Sequence, residues 1–316
     1  MSKKKVTFVS ALFATALMFS SANPAFALIR AEQAQPNAES NTVVSIKIGG
    51  RGTFGDCTGT LIAPQWVVTA RHCLEATNNE GSQVRLGQED NTSIRDVDSW
   101  ALSESGDVAL MHLTQAVTDV TPAEVGTEQP KPGDQGTIYG WSSGSRMARA
   151  KKLPVADVTV NEGIGPAAPT EETVSDQPSS ENQAVAGDEA LPAEDMAFAA
   201  SSFISVTSNS RAAAQGGDSG GPFFYKGKVT GVFTASPSFI DVTLPDRSAL
   251  ITSLKDSADW IEQVISGKDT NSIITPATAP APQKTTQTSA PHARLYLIGS
   301  LAILVLAAVA ARIKRQ

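Results

Sequence analysis

The sequence has few of the residues on which metal sites and disulfide-rich folds depend. Its 316 residues include two cysteines, Cys57 and Cys73, and three histidines. His72 is adjacent to Cys73, but no third potential ligand follows at the short spacing that zinc sites use. His112 lies in an apolar run and His292 in a polar tail, so neither belongs to a motif. We therefore expect no metal ion and no organic cofactor.

Aromatic residues are also scarce, at 6% of the chain, and none is interleaved with its basic loop. That loop contains Arg146, Arg149, Lys151 and Lys152. A surface that binds nucleic acid usually combines basic residues with a helix or with aromatic side chains that stack on bases. Because this segment has neither feature, we interpret it as a solvated surface loop and expect no nucleic-acid partner.

The chain does contain a serine surrounded by glycines, in the segment GGDSGGP at 216–222. Glycines permit a tight turn that exposes the Ser219 hydroxyl and leaves nearby N–H groups uncovered. Ser219 is therefore a candidate nucleophile, although a lone Gly-Ser-Gly would more simply be a hairpin turn. Two upstream motifs favour the nucleophile: TARHC contains His72, and GDVAL contains Asp107.

In the order His, Asp, Ser, these three motifs resemble those of the chymotrypsin/trypsin-like serine peptidase family. The resemblance extends over about residues 42 to 265 and is interrupted by one insert. It implies that His72 accepts the proton of Ser219 and that Asp107 orients the imidazole. It also implies an oxyanion hole made by the N–H groups of Gly217 and Ser219.

The same resemblance assigns two structural roles. Cys57 and Cys73 match the bridge that closes the loop before the catalytic histidine, and export to an oxidising compartment would allow it to form. Asp218 matches the aspartate that pairs with a newly cut amino terminus. The chain offers Leu28-Ile29-Arg30 for this purpose, where the family usually has Ile-Val-Gly-Gly. A disordered leader over residues 31–41 is the alternative interpretation of this region.

The fold class predicted from the sequence is all-β. From Thr42 onward, short runs of β-forming residues are separated by Gly, Pro and Asn, as is typical of Greek-key barrels. With the resemblance, this predicts two six-stranded Greek-key β-barrels within a peptidase domain at 28–266. Residues 256–265 carry apolar side chains at helical spacing and are predicted to form a closing C-terminal helix.

An acidic insert breaks the resemblance at residues 161–200. It contains nine Asp or Glu and no Lys or Arg, so the net charge of −7 becomes +2 without it (−7 + 9 = +2). Few apolar residues are present to order it, and we expect a flexible loop. It is an electrostatic exosite that steers basic substrates, a flap over the cleft, or a solvated insertion that the fold tolerates.

The substrate pocket is assigned by resemblance. The residue six before the serine is Ala213, and an uncharged base argues against a preference for Arg or Lys. Thr234, Ala235 and Ser236 stand where the family usually has Ser-Trp-Gly, and Ser248 comes from the facing strand. The sequence therefore predicts cleavage after small or medium uncharged residues.

Both ends of the chain carry targeting features. Residues 1–27 combine lysines, an apolar run and an A-x-A site, which predicts a signal peptide. Residues 267–294 resemble an extended linker rich in Thr, Pro and Ala. Residues 295–311 predict a transmembrane helix, and the basic tail 312–316 places its end in the cytoplasm.

We therefore expect a monomeric serine endopeptidase that acts on proteins or peptides. It would be a single-pass membrane protein of the cell surface, of bacterial type, with an extracellular peptidase domain. Two alternatives are open. One is a catalytically weak or inactive homologue that serves as a cell-surface binding module, and the other is a quality-control peptidase. The second would carry a peptide-binding module, for which the sequence after the peptidase domain shows no candidate.

Overall fold

The computed structural model describes residues 28–75, 78–163, 203–236 and 246–279. The predicted signal peptide, residues 164–200 of the acidic insert and the predicted transmembrane segment lie outside these ranges. Within the described part of the chain, no helix has both the length and the apolar character needed to cross a membrane.

The first barrel is a closed antiparallel sheet of six strands. Its strands are β2 (Val43–Lys47), β3 (Cys57–Ala63), β4 (Trp66–Thr69), β5 (Gln83–Gln88), β6 (Asn91–Leu102) and β7 (Ala109–Leu113). Their order is β6-β5-β2-β3-β4-β7, and pairing between β6 and β7 closes the barrel. The interior is filled by inward-facing apolar side chains, among them Leu61, Val67, Val84, Trp100 and Met111.

The second barrel has the same construction. Its strands are β8 (Gln135–Tyr139), β9 (Pro154–Val160), β10 (Phe203–Ser208), β11 (Pro222–Tyr225), β12 (Lys228–Ala235) and β13 (Ser248–Ser253). Their order is β9-β10-β13-β12-β11-β8, and β8 pairs with β9 to close it. The predicted all-β fold with two six-stranded barrels is therefore confirmed.

Short helices occupy some of the connections. They are α1 (His72–Glu75), α2 (Arg146–Arg149) and α3 (Ala258–Ile265). The last confirms the predicted C-terminal helix, which is only two turns long. Its Ile261 and Val264 belong to an apolar cluster between the two barrels, which also includes Val68 and Trp141. This shared cluster holds the barrels against each other, because removing its side chains from water favours their contact.

Each end of the described chain adds a two-residue strand to the barrel that lies farther from it in sequence. Strand β1 (Glu32–Gln33) pairs with β9 of the second barrel. Strand β14 (Ile273–Ile274) pairs with β6 of the first barrel. Residues 267–279, which composition assigned to the linker, thus continue along the folded domain. The physical reason is the Ile-Ile pair, which covers an edge of β6 and packs on the cores on either side.

We predict that strand β14 contributes measurably to stability. Removing residues 267–279, or replacing Ile273 and Ile274 together by serine, exposes part of the β6 edge and should cost about 2 kcal/mol. For a domain of this size, that loss should lower the melting temperature by roughly 4–8 °C. Thermal unfolding followed by circular dichroism measures it. Equal melting temperatures with and without the two isoleucines would contradict the assigned role.

Candidate active site

His72 and Asp107 are held together at the edge of the first barrel. His72 begins α1 directly after β4, and Asp107 precedes β7, which pairs with β4. The carboxylate binds the histidine twice: Oδ1 accepts from the His72 backbone N–H at 2.8 Å, and Oδ2 lies 2.7 Å from Nδ1. Because an ionised carboxylate only accepts, Nδ1 carries the proton and Nε2 is left as the basic nitrogen.

The environment of Asp107 favours its ionised form. Burial raises the pKa of this carboxyl, but hydrogen bonds and the charge of His72 outweigh burial, so the net pKa is below the ordinary value. A side-chain hydrogen bond from Thr234 lowers it further. The Asp107 side chain is 15% exposed and that of His72 is 45% exposed, so the imidazole is accessible to solvent while its carboxylate partner is largely covered.

The second barrel brings the Ser219 backbone against the segments that flank His72. The Ser219 carbonyl accepts a hydrogen bond from the Thr58 N–H at 2.8 Å, and the Cys73 sulfur lies 3.9 Å from the same oxygen. The adjacent Gly220 approaches Thr69 so closely that a Cβ at this position would collide with it. The segment around Ser219 is therefore fixed against β3 and the residues beside His72.

A disulfide joins Cys57 to Cys73, as predicted. Cys57 begins β3, and Cys73 follows His72 in α1. The bridge therefore ties the histidine segment to the strand that carries Thr58, which is the residue that holds the Ser219 carbonyl.

The peptide N–H groups of Gly217 and Ser219 have no acceptor among the described residues. Their direction is set by the carbonyls of the same peptides, because N–H and C=O point in opposite directions across a trans peptide. The Ser142 hydroxyl binds the Gly216 carbonyl at 2.5 Å, and the Gly221 N–H binds the Asp218 carbonyl at 2.8 Å. Two uncovered N–H donors next to a serine hydroxyl can bind an oxyanion.

Gly217 satisfies two constraints that exclude other residues. Its φ of +97° is in the region that favours glycine. A Cβ at Gly217 would also lie 2.5 Å from the Gly55 carbonyl oxygen and 2.7 Å from the Ser142 Cβ.

Asp218 is buried directly behind the serine. Its side chain is 1% exposed, and Oδ2 accepts from the backbone N–H groups of Leu28 and Gln215, each at 3.0 Å. Burial raises the pKa of Asp218 to about 7, although these N–H groups act to lower it. Ile29 continues the attachment through a backbone pair with Ala213. The chain next to residue 28 is thus inserted beside Asp218, and is not a disordered leader.

The residues assigned to the substrate pocket lie near this loop in different environments. Thr234 and Ala235 end β12 and Ser236 follows them; all three are partly exposed, whereas Ala213 is buried. Ser248 is fully buried, and its hydroxyl lies 3.4 Å from that of Thr207 on β10. Of the assigned residues, the three at the end of β12 are therefore the ones that reach solvent.

Four residues near the site were not assigned a role from the sequence. Arg30, Arg211 and Arg247 line a cavity of about 280 Å³ beside Ala213. They come from three distant segments, so no local sequence signal brings them together. Thr58 was missed for the same reason, although it binds the carbonyls of both Gly217 and Ser219.

Two six-stranded barrels, with the His72, Asp107 and Ser219 segments meeting between them, define a trypsin-like fold. The solved structure of neuropsin, a serine protease expressed in the limbic system of mouse brain, superposes with a TM-score of 0.52 at 19% identity. It matches 75% of this chain and 99% of that one. The family model described as Trypsin matches residues 29–261. The chain therefore belongs to the trypsin family.

Relatives of known sequence agree with this assignment. A protein of Corynebacterium glutamicum (strain R) described as an uncharacterized peptidase is 26% identical over 259 residues, covering 82% of this chain and 80% of the relative. The thrombin-like enzyme halystase of Gloydius blomhoffii is 26% identical over 237 residues, covering 67% and 85%.

We predict that the state of the Leu28 amino group controls how stability depends on pH. If residues precede Leu28, Asp218 faces neutral amides and keeps a pKa of about 7, above its unfolded value of about 3.9. Between these two pKa values the folded state keeps the Asp218 carboxyl protonated and the unfolded state does not. The free energy of unfolding therefore falls as pH rises from about 4 to 7. A free ammonium at Leu28 favours the carboxylate and should remove this fall.

Urea unfolding between about pH 4.5 and 7.5 tests this, with proteins that start at Leu28 or carry a short extension. Asp218→Asn in the extended protein is the control and should also remove the fall. Identical pH profiles for the extended protein and the protein starting at Leu28 would contradict the prediction.

Proposed function

We propose that this protein is a secreted, membrane-tethered serine endopeptidase that cleaves peptide bonds through an acyl-enzyme. The observation that carries this proposal is the His72–Asp107 pair, which is joined by two hydrogen bonds and lies next to a serine loop with two uncovered N–H donors. A structural turn would have no need of either feature, whereas nucleophilic catalysis requires both.

The chemistry follows from the positions of the groups. The Nε2 atom of His72 takes the Ser219 proton as the hydroxyl oxygen attacks the substrate carbonyl carbon. Asp107 stabilises the resulting imidazolium without taking its proton. The N–H groups of Gly217 and Ser219 bind the oxyanion, and loss of one such donor typically costs about 3 kcal/mol. His72 then protonates the leaving amine, and water releases the acyl group by the reverse sequence.

The pocket favours small or medium uncharged side chains. Ala213 supplies no carboxylate to pair with a substrate cation, and three arginines line the cavity beside it. A substrate Arg or Lys would lose its hydration without gaining a counter-charge, and the nearby guanidinium groups would repel it.

The mature amino terminus in this proposal is Leu28. Removal of residues 1–27 at the predicted signal-peptidase site would create an ammonium where the Leu28 nitrogen now lies 3.0 Å from Asp218. That charge stabilises the buried carboxylate and with it the loop that carries Ser219. Export would then generate the active form without a separate activation cut. The apolar segment 295–311 supports attachment to the membrane, with the peptidase domain outside.

A second candidate is a weak or inactive homologue that acts as a cell-surface binding module. The altered pocket wall favours it, because Ser236 stands where the family usually has glycine and its hydroxyl has no partner among the described residues. A serine-reactive fluorophosphonate separates the two candidates, since it labels only an activated hydroxyl.

We predict that Asp107→Asn lowers kcat for a peptide substrate by about 10⁴-fold, because the amide no longer holds the required imidazole tautomer. The chain offers a matched control. His112 and Asp98 form a second pair, with Nδ1 and Oδ1 2.8 Å apart. His112 lies at the end of the β4–β7 pairing opposite to the end that adjoins His72 and Asp107. Asp98→Asn should keep kcat within about twofold. Equal effects of the two substitutions would refute the assigned catalytic pair.

We also predict that Ala213 excludes basic substrate side chains. Wild-type kcat/KM should be at least about 100-fold lower with Arg than with Ala or Val before the scissile bond. Ala213→Asp should narrow that difference in kcat/KM by supplying a counter-charge. Ala213→Asn, whose side chain has the shape of Asp without its charge, should leave the difference unchanged. A panel of peptides that differ only at this residue measures the ratio. Efficient cleavage after Arg by the wild type would contradict the proposed pocket.

A further inference from the structure

Arg85, on β5, is held by two aromatic rings and by no carboxylate. Its guanidinium carbon lies 5.0 Å from the centre of the Phe54 ring and 5.1 Å from that of the Trp141 ring. Within the described ranges it forms no ion pair, and its Nε has no hydrogen-bond partner. Burial lowers the pKa of Arg85, but arginine remains charged at physiological pH.

Partial burial of a cation without a counter-ion costs hydration free energy that no ion pair returns. Cation–π contacts return about 2 kcal/mol when they are desolvated, and an apolar side chain could fill the same volume without the loss of hydration. The neighbouring Val84 and Leu86 already supply the barrel core from the other face of β5. The barrel core therefore does not explain why an arginine lies against these two rings.

Phe54 and Trp141 each directly precede a residue that contacts the backbone at residues 216–217. Phe54 precedes Gly55, whose carbonyl oxygen accepts from the Ser143 N–H at 3.0 Å and lies against Gly217. Trp141 precedes Ser142, whose hydroxyl holds the Gly216 carbonyl. The backbone segments at Gly55, Ser142 and Gly217 thus meet at one point. In the first two, the preceding residue carries a ring that contacts Arg85.

This arrangement defines a path from Arg85 to one oxyanion donor. Trp141, whose ring N–H also donates to the Val43 carbonyl at 3.2 Å, is followed directly by Ser142. The Ser142 hydroxyl binds the Gly216 carbonyl, and that carbonyl sets the direction of the opposite N–H, which belongs to Gly217. On the other side, Phe54 fixes Gly55 against Gly217. If either ring shifts, the peptide between Gly216 and Gly217 can rotate.

We propose that Arg85 is a positioning residue for the oxyanion hole, which it sets by holding Phe54 and Trp141 at a fixed separation. The inference rests on the proposed function and names a residue that no triad motif includes. Arg85 does not touch the substrate. It keeps the Gly217 N–H aimed at the place where the oxyanion forms, and this direction matters in the transition state more than in substrate binding.

The test compares Arg85→Met, which keeps the length of the side chain but not its charge, with Arg85→Lys. Arg95→Met is the matched control, because Arg95 is similarly half-buried on the adjacent β6. Among the described residues its Nε also has no partner, but its guanidinium lies over no aromatic ring. We expect Arg85→Met to lower kcat about tenfold with little change in KM. Arg85→Lys should recover part of the loss, and Arg95→Met should match the wild type.

Two further readouts separate positioning from general stability. The Ki of a peptide trifluoromethyl ketone, whose tetrahedral adduct places an oxyanion in the hole, should rise by the same factor as kcat/KM falls. Phe54→Leu combined with Arg85→Met should lower kcat little more than either change alone, because both act through one stack.

The proposal is overturned if Arg85→Met keeps kcat within twofold of the wild type or lowers only the melting temperature. It is also overturned if the effects of Phe54→Leu and Arg85→Met simply multiply. If Arg85→Met does not fold, Arg85→Lys and Phe54→Leu must show the loss of kcat and the weaker ketone binding. Absence of turnover by the wild type would instead refute the proposed function, and this inference with it.

Discussion

The arrangement of the site depends on one buried carboxylate. Asp218 lies next to Ser219 in the chain and is 1% exposed, so its charge needs donors and a counter-charge inside the protein. The backbone at Leu28 and Gln215 supplies the donors. By binding Oδ2 of this group, the backbone at Leu28 and Gln215 fixes the loop that carries Ser219. The amino-terminal segment and the serine loop are therefore parts of one structural unit.

The first barrel supplies the other half of the site. Thr58 binds the carbonyls of Gly217 and Ser219, and the disulfide connects its strand to His72. The serine loop is consequently held from both barrels, with its donors facing the cleft. The candidate catalytic residues therefore lie where the two barrels meet, in segments fixed by contacts from both of them.

Local motifs were sufficient to propose His72, Asp107 and Ser219 as catalytic residues, since each occurs in a characteristic run of residues. Short strand-forming runs and turn residues predicted β-barrels, and the family resemblance predicted that there are two. The short strands β1 and β14 were not predictable, because two residues carry no periodic signal. The Arg85 stack and the arginines beside Ala213 depend on tertiary placement alone. Composition was misleading at residues 267–279, where two isoleucines outweigh a linker-like background.

The most direct test of the central claim is to treat the protein with a fluorophosphonate and locate the adduct by peptide mass spectrometry, with the amino terminus read from the intact mass. The account predicts one adduct, on Ser219, in molecules that start at Leu28, and none in Ser219→Ala. No adduct on folded protein with that same amino terminus would contradict an activated nucleophile and leave the binding module as the better description.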